Sequence, residues 1–255
     1  MLKGLKVAAI IEARMTSSRL PEKVVMPAAG TPLLQVLIER LQRVDRLDQI
    51  IVATTTNDTD NPIVELVNRL DGVAVDRGSE HDVLDRVCSC LKKHNVDVCV
   101  EITGDCPLID PDIVTEAITA YDAHQPNTVY LSNSAPHQAV PAGFDVQVFR
   151  AEALYQLDRE TQDPVDREHV SYGFYRPESE EKWNPVFISH EESKDGTHLI
   201  CTLDYQEDYN LIRAIHEDLS GSNHTHYGVA DVIRWINKNP EIHQACLDVR
   251  QADTA

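Results

Sequence analysis

Positive charge is scarce in this chain. Lys and Arg total 23 against 42 Asp and Glu, leaving a formal charge of −19 over 255 residues. A duplex-binding surface needs clustered cations to neutralise phosphates, so the composition argues against a nucleic-acid partner. The acidic excess is spread along the chain and favours solubility through self-repulsion. Any site for an anionic ligand must gather its few cations locally, or borrow positive charge from a metal. Metal-type cysteine spacing is missing as well. Cys88, Cys90, Cys99, Cys106, Cys201 and Cys246 form no Cx2C pair. A chain of this length needs no covalent staples, so reduced thiols are expected. Long apolar runs are absent too. The stretch before Glu12, MLKGLKVAAII, is too short to span a bilayer and reads as a first strand, not a leader. These absences lead us to expect a soluble, cytoplasmic protein with no membrane partner. No repeat, low-complexity tract or linker is visible. One domain over about residues 1–250 is expected, with a lobe inserted at about 130–195 and a frayed tail from about Asp248.

What is present alternates. Continuous Val/Ile-rich runs at 5–11, 49–54, 73–75 and 97–102 read as strands, and helical spacing marks 33–41, 62–70, 82–94 and 110–123. Strand–helix alternation predicts an α/β fold, a mostly parallel sheet with helices on both faces. Ligands in such folds sit beyond the carboxyl ends of the strands, where the polar segments 12–23 and 103–108 fall. The second half is less regular. Strands are expected at 129–131, 146–149, 185–189 and 199–203, and helices at 151–157, 167–175, 206–219 and 229–237.

Segment 12–23, EARMTSSRLPEK, places Arg14, Arg19 and Lys23 within ten residues of an otherwise acidic chain. Those cations, with Ser17, Ser18 and backbone N–H groups, suit a polyphosphate. On charge alone, a solvated loop accounts for them equally well. The segment is not a GxxxxGK[ST] loop, and no GxGxxG follows the strand, which argues against a nicotinamide-dinucleotide enzyme. ARMTSSRLPEK resembles the A-R-x-x-S-S-R-L-P-x-K signature of the cytidylyltransferases. That family includes the CMP-sialic acid and CMP-KDO synthetases, and the closest likeness is to the spore-coat-polysaccharide (SpsF-like) group. The resemblance implies a Rossmann-like fold, transfer of CMP from CTP, and nucleotide binding by Ala13, Arg14, Ser17, Ser18, Arg19 and Lys23. Two departures stand out: relatives usually carry glycine where this chain has Thr16 and Glu22. Thr16 narrows the room for phosphate, and Glu22 adds a negative charge beside Lys23.

Further segments match in order. T-G-D-C-P-L-I-D at 103–110 resembles the family's T-G-D-x-P-L-I-D, and L-D-Y-Q-E-D at 203–208 resembles [VL]-D-x-x-E-D. By that match Asp105 and Asp204 hold magnesium (Mg2+), Gly104 lies by the nucleotide, and Arg14, Lys23 and Asp105 carry the catalysis. Two carboxylates plus phosphate oxygens suit magnesium. Taken alone, Asp105 has a turn cap as its alternative, and a helix N-cap is the better reading of Asp204. R-G-S-E-H-D-V-L-D-R at 77–86 resembles R-G-S-x-x-D-V-L-x-R, implying that Gly78, Ser79 and Asp85 lie near the base or ribose; Ser79 as a helix cap is the alternative. G-F-D-V-Q-V-F at 143–149 resembles G-x-D-V-E-V-F, with Gln147 in place of the usual glutamate. R-E-H-V at 167–170 completes the set. Asp145 and Arg167 are thereby candidates for the acceptor, with packing or interface roles open for Asp145, Glu168 and His169. His224 and His226 lack a third ligand nearby and read as loop surface. The expected reaction is attack by a sugar 1-phosphate, or by the anomeric hydroxyl of a keto-sugar acid, on CTP, with a homodimer implied by resemblance alone. Another triphosphate as donor, or a non-catalytic binding role, stays open.

Overall fold

The computed structural model describes residues 2, 4–134, 136–190, 196–221 and 226–253. Strand β1 (Val7–Glu12) is followed by a small hairpin of β2 (Pro27–Ala28) and β3 (Thr31–Pro32), then α1 (Leu33–Leu41), β4 (Gln49–Thr55), α2 (Asn61–Val67), β5 (Val73–Gly78), α3 (Val83–Lys93), β6 (Val98–Thr103) and α4 (Pro111–Ala123). The second half runs β7 (Tyr130–Ser132), β8 (Gln147–Arg150), α5 (Ala151–Glu160), α6 (Pro164–Glu168), α7 (Tyr172–Tyr175), α8 (Glu180–Trp183) and β9 (Val186–Phe187). It closes with α9 (Gln206–Ser220), α10 (Val229–Lys238) and α11 (Pro240–Asp253).

The sheet order is β5-β4-β1-β6-β8-β7-β9. β5, β4, β1 and β6 are parallel, while β8 runs antiparallel to both β6 and β7. The apolar run of β1 is dictated by burial on both faces. Ala8 and Ile10 face a core with Leu84, Val87 and Leu154 under α3 and α5. Val7, Ala9 and Ile11 face the larger core with Leu33, Leu37, Ile113 and Val114 under α1 and α4. The chain moves outward from β1 to β4 and β5, then returns to place β6 on the other side of β1. That reversal opens a crevice between the carboxyl ends of β1 and β6. No helix among the described residues is long and apolar enough to cross a membrane. All six cysteines are buried and unpaired.

Three expectations need correction. Residues 199–203 do not form a strand: apart from one bridge between Ala142 and Ile200, the segment runs outside the sheet. Leu199, Cys201 and Leu203 are buried, which explains the apolar alternation. The segment is seated on Gly143, whose φ is +102° and where a Cβ would lie 2.7 Å from the Cys201 carbonyl. The helix expected over 167–175 is broken: α6 ends at Glu168, Val170 takes φ 43°, and α7 begins at Tyr172. The tail is ordered as α11. It escaped the periodicity because only His243 and Cys246 are buried along it.

Arg250 of α11 donates to both oxygens of Asp208 on α9, at 2.6 and 2.8 Å. Asp208 is almost wholly buried and also accepts from the backbone N–H of Asp204 and Tyr205, at 2.9 and 2.8 Å. Removing the guanidinium strands a buried carboxylate, so Arg250→Ala should lower the unfolding free energy in urea by about 3 kcal/mol. Arg234→Ala, which removes an exposed pair with Asp231, should cost less than about 1 kcal/mol. Equal costs for the two would contradict the buttressing role of α11.

Candidate active site

The loop after β1 is pinned from beneath. Met15 N–H donates to buried Asp60 (2.7 Å), which also accepts from the Thr54 and Thr55 hydroxyls. Glu22 N–H closes the loop onto the Met15 carbonyl at 2.8 Å. Glu22 sits at φ 62°, ψ 9°, in the left-handed region that glycine adopts freely; a side chain there costs about 1–2 kcal/mol. Thr16 turns aside from the loop's mouth and donates to Glu80 at 2.7 Å. Asn57 donates to the same carboxylate at 2.6 Å. These bonds, the Thr16 one foremost, hold the Glu80 carboxyl below its usual range.

The loop faces two other segments across a cleft of about 350 Å³ at the sheet's reversal point. Gly104 N–H bonds the Glu12 carbonyl at 2.9 Å. The approach is so close that a Cβ on Gly104 would lie 2.6 Å from that oxygen. Leu203 N–H bonds the Asp105 carbonyl at 2.9 Å, joining 103–106 directly to 203–205. The cleft takes in Ala13, Arg14, Ser17, Ser18, Arg19, Lys23, Gly104, Asp105 and Asp204. Asp204 Oδ1 accepts from Arg19 (2.6 Å) and Lys23 (3.0 Å), and Lys23 also donates to the Leu203 carbonyl at 2.6 Å. Burial pushes the Asp204 carboxyl up, but Lys23 and Arg19 outweigh it and hold it below its ordinary value. Asp105 accepts from the Thr103 hydroxyl and the Cys106 thiol. Arg14 stays largely exposed, 3.9 Å from Glu80.

Other candidates lie outside this cleft. Gly78 ends β5, where a Cβ would meet Arg86 Cγ at 2.8 Å. Ser79 accepts from Asp82 N–H at 3.0 Å, and Asp85 is exposed on α3. Asp145 closes its own turn, accepting from Gly143 N–H and Gln138. Arg167 ties α6 to Asp82 on the α3 side and to Asp158 on α5. His226 is exposed, and His224 lies outside the described residues. The cleft also holds groups the sequence reading passed over: Glu12, Arg86 and Thr103. Glu168 and His169, left there as interface or core residues, line it too. Arg86 was visible as the closing residue of the 77–86 motif. It is buried, which lowers its pKa, and its Nε has no partner. Asp76, Cys90 and His94 cluster within 4.8 Å at the far end of α3. Lys93 and His94 already pair with Asp76 there, and burial pushes the Cys90 thiol up to about 12.

A mostly parallel sheet enclosed by helices, with a cationic strand-to-helix turn at its reversal point, defines a Rossmann-like α/β nucleotidyltransferase fold. The chain belongs to the cytidylyltransferase family, whose model matches residues 8–218. It is 32% identical over 247 residues to an uncharacterized protein of Methanocaldococcus jannaschii, covering 97% of each chain. It is 29% identical over 238 residues to the spore coat polysaccharide biosynthesis protein SpsF of Bacillus subtilis, covering 91% of this chain and 94% of that one. The solved structure of a cytidylyltransferase from Leptospira borgpetersenii serovar Hardjo-bovis superposes with a TM-score of 0.86 at 31% identity, covering 94% of this chain and 97% of that one.

Burial pushes the Glu101 carboxyl up to about 7, with the Ser171 hydroxyl opposing. Burial, then the neighbouring Glu101, pushes Glu12 up, with Arg86 opposing. Between about 4.5 and 7 the folded state therefore holds protons that the unfolded chain has released. This contribution to stability is complete below pH 4.5 and is lost as pH rises through about 7. Melting temperature should fall from pH 5 to pH 8, and Glu101→Gln should flatten that fall. An identical slope in the variant would contradict the burial of an uncompensated carboxyl.

Proposed function

We propose that the protein transfers CMP from CTP to a sugar or keto-sugar acid, releasing pyrophosphate, in the synthesis of a surface-polysaccharide or glycan precursor. The observation that carries this reading is the convergence of Arg14, Arg19 and Lys23 with Asp105 and Asp204 on one cleft. Family membership supplies the cytidine, and the SpsF relative supports the polysaccharide context.

In this reading the phosphates lie along the 13–23 loop. Arg14 and Lys23, with backbone N–H groups, receive the negative charge that gathers on the departing pyrophosphate. The acceptor oxygen attacks the α-phosphorus opposite the departing pyrophosphate. Asp105 and Asp204 are the hard oxygen donors that fit magnesium, which takes one or two carboxylates alongside phosphate oxygens. When bound, the ion would neutralise phosphate charge. Asp204 is held by Arg19 and Lys23. A triphosphate offers those cations new partners and so frees the carboxylate toward the cleft.

Pyrophosphate release from CTP with Mg2+, measured against a panel of sugar phosphates and keto-sugar acids, tests the reading. Asp105→Ala should lower turnover by about 10²–10³-fold with the melting temperature nearly unchanged. Undiminished turnover in the variant would contradict the assignment of Asp105, and faster release from GTP, UTP or ATP would contradict the choice of cytidine.

A further inference from the structure

A second compartment of about 210 Å³ adjoins the cleft. It shares Glu12, Thr103, Glu168 and His169 with the cleft and continues past Glu101 and Gln147 to Ser171. Strand parity builds it. Glu12 stands opposite Thr103, Ile10 opposite Glu101, and Glu101 opposite Gln147. Alternate strand residues share a face, so both carboxylates project onto the side that α3 and α5 cover. Deeper along the same face the rows are apolar: Ala8 and Ile10 on β1, Cys99 on β6, Phe149 on β8.

Neither carboxylate is explained by phosphate binding, which they would oppose. Glu101 is 5% exposed. Its Oε2 and both oxygens of Glu12 are buried and accept no hydrogen bond. Buried polar atoms are rarely left this way in native proteins, and buried carboxylates more rarely still. The residues lining the compartment include a third acid, Glu168, and no Lys or Arg. A carboxylate or phosphate group entering here would meet three acids, the nearest guanidinium being Arg86 in the adjoining cleft, already acting on Glu12. A hydroxyl brings one donor to three open oxygens. A primary ammonium brings three N–H donors and the charge that would draw these carboxyls into their ionised form, offsetting the burial that otherwise keeps them protonated.

We propose that this compartment is the acceptor subsite and that the acceptor is an amino sugar whose ammonium group sits between Glu12 and Glu101. The inference rests on the cytidylyl transfer proposed above. It leaves any anionic group of the acceptor to the cationic rim of the main cleft.

The test is calorimetric titration of the full chain, loaded with Mg2+ and an α,β-methylene analogue of CTP. The probes are glucosamine, galactosamine and mannosamine, each beside its N-acetyl and hydroxyl counterparts. At least one amine should bind about tenfold or more tighter than both of its neutral counterparts. Glu101→Gln, and separately Glu12→Gln, should reduce that preference to about twofold or less, in keeping with the loss of one charged partner. Loading with the analogue confirms that each variant is folded. If the analogue binds but no amine is preferred, the inference fails while the cytidylyl reading stands. If the preference survives in both variants, the placement of the ammonium is wrong. If the analogue does not bind at all, the cytidylyl reading itself fails.

Discussion

One ion-paired carboxylate holds the two halves of the cleft in register. Asp204 reaches Arg19 and Lys23 from 185 and 181 residues further along the chain. The pairing turns those cations inward in a chain whose net charge is −19. Burial alone would favour a neutral Asp204, but the two cations hold it ionised well into acid. The ordering of the loop's cations is thus completed during folding; on the reading proposed above, a triphosphate would replace one anionic partner with several.

That pairing works because rigid elements aim both sides of it. β1 and β6 run side by side through the core, and their carboxyl ends set the loop and Asp105 next to each other. Gly104 permits the approach of 103–106 to the Glu12 carbonyl. Asp208 fixes the backbone at Asp204 and is itself held by Arg250. Precision at the cleft therefore depends on α11, which contributes no residue to the cleft's lining. Glu22 carries a left-handed backbone without glycine's freedom, a local cost borne by the tight closure of the loop onto Met15.

Much of the frame was legible in the sequence, because the strands that matter are buried on both faces and so appear as unbroken apolar runs. The cationic loop was legible because its cations are local and its pattern is shared with a known family. The unseen features come from long-range packing. Residues 199–203 have strand-like alternation because every second side chain is buried, yet they pack over Gly143 and reach the neighbouring segment through the single Ala142–Ile200 bridge. Arg167 looked available to an acceptor anion, but Asp82, which caps α3, and Asp158 on α5 hold it. The compartment at Glu101 depends on the antiparallel register of β6 with β8, some fifty residues later in the chain. Nothing in the local pattern of VCVEIT predicts that its one acid faces a cavity.

The central claim is that the cationic loop and two distant aspartates meet around a single metal–nucleotide complex. Titrating CTP into the protein with and without Mg2+, in wild type and in Asp204→Asn, tests it most directly. The account predicts that the metal tightens CTP binding by about tenfold or more in wild type and that the variant loses most of this gain. CTP affinity that ignores both the metal and the substitution would contradict it.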